Sequence, residues 1–127
     1  MDERVQLTAA DLEQSAKAFD DLPASSTCRL IEFDTANAYP GIVNGTWFLH
    51  VRGEKPWSNM VVTLVPAIYI TTPDYWQVEV VGCLYGIGFP AMTPYDVTGG
   101  EFSRGYGIGH KGIEVVGAGK TQIITIP

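Results

Sequence analysis

A chain of 127 residues, 46% hydrophobic and 17% charged, has the composition of one folded domain and excludes a disordered polymer. Its formal net charge of −6 excludes the basic face that nucleic acid or an anionic membrane surface requires. A single core at this length buries about two thirds of the unfolded surface, so the fold needs neither a metal nor a disulfide to hold it.

Taken in chain order, the first element is a helix over about residues 8–22. Thr8 is its N-cap, and Leu7 and Leu12 form a hydrophobic staple. Leu12, Ala16 and Phe19 share one face at helical spacing, with Glu13, Gln14, Lys17 and Asp20 opposite, and Pro23 stops the helix. Residues 1–24 hold six acids against two bases, which accounts for −4 of the −6. A solvated outer face explains this charge, and a docking surface for a basic partner is the sharper alternative. The opening residues lack the apolar core of a signal peptide, and Pro66 breaks the longest uncharged stretch, residues 56–73. The expected location is therefore cytoplasmic, with Cys28 and Cys83 reduced; a disulfide between them would fit an exported protein.

Beyond the helix the sequence reads as strands joined by turns, with 14 glycines and 8 prolines as punctuation. Residues 28–34 form a short strand with Ile31 and Phe33 inward. Residues 35–41 read as a loop, with Tyr39, Pro40 and Gly41 in a turn. Asn44-Gly45 is a strong hairpin signal leading into residues 46–52, where Trp47, Leu49 and Val51 alternate with Phe48 and His50. Gly45-Thr46-Trp47 resembles the GxW that opens the first barrel strand of lipocalin-like and avidin-like binders. Here a helix and a strand precede it, and membership is not inferred.

Residues 53–59 are a polar loop holding Trp57. Residues 60–85 then form the central hairpin, turning at Thr72, Pro73 and Asp74. In its second arm Trp76, Val78, Val80 and Leu84 share one face. In its first arm Val62, Leu64, Ile68 and Ile70 share one face while Val61, Val65, Ala67 and Tyr69 fill the other, so both faces call for a cover. Pro66 places that arm at a sheet edge or on a bulge. A loop-rich region follows from Gly86, and residues 101–106, 113–116 and 122–126 are short strands. The expected architecture is a single domain, 1–127. It is mainly β with one N-terminal α-helix, the antiparallel strands from 28 to 126 forming a β-sandwich or partly closed β-barrel.

Few residues carry chemistry. Residues 107–112 match GxGxxG, but β-like residues 113–116 follow where a dinucleotide site needs a helix. Gly117, Gly119, Lys120 and Thr121 look like the end of a phosphate loop, yet the first glycine of that motif would fall at Glu114. The two histidines, His50 and His110, stand at no metal-ligand spacing, and neither a metal nor a cofactor is expected. His110, in a glycine-rich loop, is the better catalytic candidate. It or His50 could pair with Asp96 or Glu101 as an acid–base couple. Trp57, Tyr75, Tyr95 and Tyr106, with Tyr39, fall in loops or at strand ends, where aromatics serve as ligand platforms or cover an open core. The leading expectation is a non-enzymatic binding domain for a small ligand or protein, dimeric through the 60–70 strand with Val65 and Tyr69 at the contact. A small histidine–carboxylate enzyme and an acidic inhibitor or immunity-type protein are the alternatives.

Overall fold

In a computed structural model, the structure describes residues 26–127. The helix expected over 8–22 and its acidic face lie outside the described residues. Nine strands are described: β1 (Ser26–Leu30), β2 (Thr35–Pro40), β3 (Trp47–Trp57), β4 (Val61–Pro66), β5 (Tyr75–Tyr85), β6 (Pro90–Arg104), β7 (Gly107–Ile108), β8 (Gly112–Val116) and β9 (Thr121–Thr125). They form two sheets and no closed barrel, consistent with the expected sandwich.

The expected central hairpin is present: β4 pairs antiparallel with β5 from Val61 opposite Cys83 to Pro66 opposite Val78. On its other side β5 takes two partners end to end. β1 lies antiparallel along Val81–Tyr85, and β8 lies parallel along Tyr75–Glu79. β9 completes this sheet beside β8. The second sheet runs β2-β3-β6-β7 and is built on the long β3–β6 ladder. The fold is therefore not wholly antiparallel, since β5–β8 and β6–β7 are parallel. Between β5 and β8 the chain crosses to the other sheet for β6, so it can return in the same direction.

Alternation along each strand makes the core. Leu49 and Val51 of β3, Val78 and Val80 of β5, and Ile113 and Val115 of β8 are fully buried in one cluster fed by both sheets. Each such side chain stabilises the fold by about 1.5–3 kcal/mol relative to exposure. Ile31 and Phe33 are buried as expected, and His50 lies on the face opposite Leu49 and Val51.

Five further expectations are corrected, the first being the loop expected over residues 53–59, since β3 runs on to Trp57 with Gly53 buried. Residues 35–40 form strand β2 rather than a loop, with Ala36 buried. The region from Pro90 is one 15-residue strand in spite of Pro94, Gly99 and Gly100. Among the described strands β7 covers only its last two residues, so most of β6 has an unpaired side there, where proline is tolerated. The first arm of the hairpin stops at Pro66, leaving Ile68 and Ile70 fully exposed in the connecting loop while Tyr69 packs against the core. Finally, Cys28 and Cys83 are joined as a disulfide rather than free. They sit directly opposite each other in the β1–β5 ladder with Cα atoms 4.1 Å apart, a pairing that only the register of two distant strands creates. Among the described residues, no helix is long and apolar enough to cross a membrane.

Alkylation of the unfolded, unreduced protein should therefore modify neither cysteine, and reduction should expose both. Replacing both by alanine should lower the unfolding free energy by about 2–4 kcal/mol, read from denaturant titration, because the link closes a 55-residue loop.

Candidate functional site

Among the described residues, two clefts open to solvent lie toward opposite ends of the β3–β6 ladder. The first, of about 460 Å³, is bounded by Arg29 to Glu32 and by Asp34, Glu54 and Met92. Its three carboxylates face water beside one arginine, and among the described residues no group of three His, Cys, Asp or Glu is arranged to hold a metal.

The second cleft, of about 450 Å³, lies between residues 66–69 and the far end of β6 with its turn into β7. Tyr69, Trp76, Phe102 and Tyr106 line it, and Glu101 is its one charged side chain. Local structure fixes each of these. Trp76 opens the buried face of β5 and donates its indole N–H to the Ala67 carbonyl at 2.9 Å. Tyr69 meets the Trp76 ring edge-on at 5.0 Å. Phe102 is held under Gly107, where any Cβ would collide with its ring. Tyr106 is 80% exposed and follows Gly105 (φ +84°) in a tight turn closed by mutual Ser103–Tyr106 backbone hydrogen bonds at 3.0 and 2.7 Å. A left-handed residue is needed at Gly105, and glycine supplies it without strain.

Glu101 owes its place to a β-bulge. Phe48 pairs with Gly100 and Trp47 with Phe102, so Glu101 is the extra residue. Tyr95, Val97 and Gly99 alternate inward before the bulge, and Phe102 resumes the inward face after it, with the parity changed. Bulges of this kind re-aim side chains at sheet rims.

Of the sequence candidates, the structure brings His50 and Asp96 together. Their side chains are in direct contact across β3 and β6, and Arg52 Nε lies 3.9 Å from the other Asp96 oxygen. Tyr39 lies beside His50, with ring centroids 6.1 Å apart. This cluster is on the outward face of the second sheet and lines neither cleft. His110 is exposed between β7 and β8, where its N–H donates to the Pro73 carbonyl and its carbonyl accepts from Arg104 Nε. No hydrogen bond or ion pair joins it to Asp96 or Glu101 among the described residues.

The aromatic candidates are scattered. Tyr106 lines the second cleft. Trp57 lies at the end of β3 under the Arg29 guanidinium, 4.9 Å from the ring. Tyr75 is half-buried in the β5–β8 ladder. Tyr95 faces the core rather than solvent: it is 8% exposed and donates its hydroxyl hydrogen bond to the Glu32 carbonyl at 2.6 Å. Burial, followed by the nearby charges of Asp34 and Glu32, pushes its pKa from 10.0 to about 12. Sequence reasoning missed Tyr69, Trp76 and Phe102 as cleft residues: alternation puts Trp76 in the core, Phe102 falls in a short strand, and Tyr69 is assigned to a dimer contact.

Tyr95 makes a pH prediction. Its raised folded pKa contributes stability that is fully present below about pH 10 and is lost as pH rises toward about 12. Denaturant titration should show this fall in the parent protein. In Tyr95→Phe that part of the pH dependence should vanish, and stability at neutral pH should drop by about 1 kcal/mol for the lost hydrogen bond.

The chain matches no family model, no curated protein and no solved structure, so the geometry of the site is the guide to what it does.

Proposed function

We propose that this protein is a non-enzymatic binding domain that takes a small ligand into the cleft between residues 66–69 and the β6–β7 turn. The observation that carries this reading is the cleft itself: about 450 Å³, aromatic, with a single charged side chain. Small-molecule sites have that size and that balance of apolar wall to sparse polar groups. An enzyme reading has one observation in its favour, the His50–Asp96 contact. That pair stands on an open sheet face and in neither cleft, which leaves a reacting group with no enclosure, so the binding reading is preferred. The acidic-inhibitor reading depends on residues 1–24, outside the described residues. The Cys28–Cys83 disulfide fits an oxidising compartment better than the cytoplasmic location that the sequence favours.

A second copy is the proposed partner at β4. This strand pairs only with β5 among the described strands, and Val61 and Val65 remain 49% and 40% exposed along its outer face. Val65 is the contact retained from the sequence, whereas Tyr69 is turned inward against Trp76. An apolar free edge of this kind favours pairing with a symmetry mate.

Protein-observed NMR with a fragment library should give binders that shift resonances of Tyr69, Trp76 and Tyr106, and Tyr106→Ala should weaken them about tenfold. Binders that all fall outside this cleft would overturn the reading. Light scattering at micromolar concentration should give about twice the 13.8 kDa chain mass, and Val65→Asp should give monomer. A parent that stays monomeric at high concentration rules the β4 dimer out.

A further inference from the structure

The chemistry of the second cleft narrows its ligand. Trp76 has its N–H committed to the Ala67 carbonyl, so it offers ring surface alone. Phe102 has only its ring to offer. The remaining side-chain polar groups of the lining are the hydroxyls of Tyr69 and Tyr106 and the Glu101 carboxylate. A sugar, with a hydroxyl on nearly every carbon, would leave most of its hydrogen bonds unmade there. A carboxylate or phosphate would find no lysine or arginine in the lining and would face Glu101. An inorganic divalent cation needs about six oxygen ligands, which one carboxylate does not supply.

What the cleft does offer is negative potential on soft surfaces. The faces of aromatic rings attract cations through their quadrupoles, most strongly where the cation is poorly hydrated. Glu101 adds a full negative charge, delivered to the lining by the bulge opposite Trp47 and Phe48. The chain's net charge of −6 draws cations toward the surface from further away. We infer that the cleft selects an organic cation carrying a methylated ammonium group, an inference that rests on the binding-domain reading above. The N-methyl groups would lie against Tyr69, Trp76, Phe102 and Tyr106, with Glu101 as counter-charge. Such an ion loses little on leaving water, which suits a cleft with few donors.

Three probes test this on the full chain by NMR: choline, its uncharged isostere with a tert-butyl group in place of trimethylammonium, and glucose. Choline should shift resonances of residues 66–69 and 101–107 saturably at millimolar concentration, and the isostere should bind about tenfold more weakly. Glu101→Gln should weaken choline several-fold and leave the isostere unchanged, whereas a merely structural role for Glu101 would weaken both alike. Equal affinity for choline and its isostere, or binding of glucose alone, overturns the inference and leaves the binding-domain reading standing. Absence of any shift in the cleft with all three probes also overturns it, and the fragment screen then decides the broader reading separately.

Discussion

The first sheet hangs on β5. β4 pairs with one side of it, β1 and β8 share the other end to end, and β9 reaches it only through β8. Both faces of the requirement meet in its sequence. Val78 and Val80 are fully buried, which fixes register because a slip of one residue would turn them to the outer face. The backbone between them is satisfied on both sides, as a buried strand requires. The same strand sets the functional geometry. Trp76, near its start, forms part of the aromatic cleft, and Cys83, near its end, is covalently tied to β1.

Local pattern was legible in the sequence, and long-range pairing was not. Alternation alone placed Leu49, Val51, Val78 and Val80 inward and turned His50 outward, because side-chain direction in a strand depends only on parity. Whether His50 meets Asp96, 46 positions away, or Cys28 meets Cys83 depends on which strands become neighbours. No local signal carries that information. β2 and all of β6 before residue 101 were missed for a related reason. Turn-forming residues such as Pro40, Pro94 and Gly99 argue locally for loops, and the tertiary partner β3 overrides them. The cleft was half legible. Tyr106 stood out as a loop aromatic and Glu101 as a carboxylate to pair with a histidine, whereas Trp76 looked like core, Tyr69 was given to a dimer contact, and Tyr95 was placed in a loop although β6 buries it.

The glycine motif at residues 107–112 has a structural explanation. His110 and Lys111 donate backbone hydrogen bonds to the Pro73 and Asp74 carbonyls at 2.8 and 2.7 Å, which stitches this segment to the end of the 67–74 loop. Side chains at Gly109 and Gly112 would collide with the Pro73 and Ile124 carbonyls. The glycines therefore serve close backbone approach rather than phosphate binding. Because the stitched loop also carries Tyr69, the motif fixes one wall of the cleft from behind. The phosphate-loop resemblance further on dissolves in the same way: Gly117 to Lys120 is the β8–β9 hairpin turn, closed by Gly117 N–H to the Lys120 carbonyl at 2.9 Å.

The Cys28–Cys83 link has a mechanical consequence. Of the five residue pairs in the β1–β5 ladder, those of Ser26 and Thr27 come before the link in chain order. A pull applied from the N-terminal side can unzip only those two pairs before the load reaches the sulfurs. From there the force passes straight into β5, the strand with partners on both sides, and bypasses the remaining pairs of β1. Peeling, in which bonds fail one after another, is replaced by loading the sheet across many bonds at once. Tension on this end is thus borne by the most heavily hydrogen-bonded strand of the sheet, and the short ladder of β1 is spared.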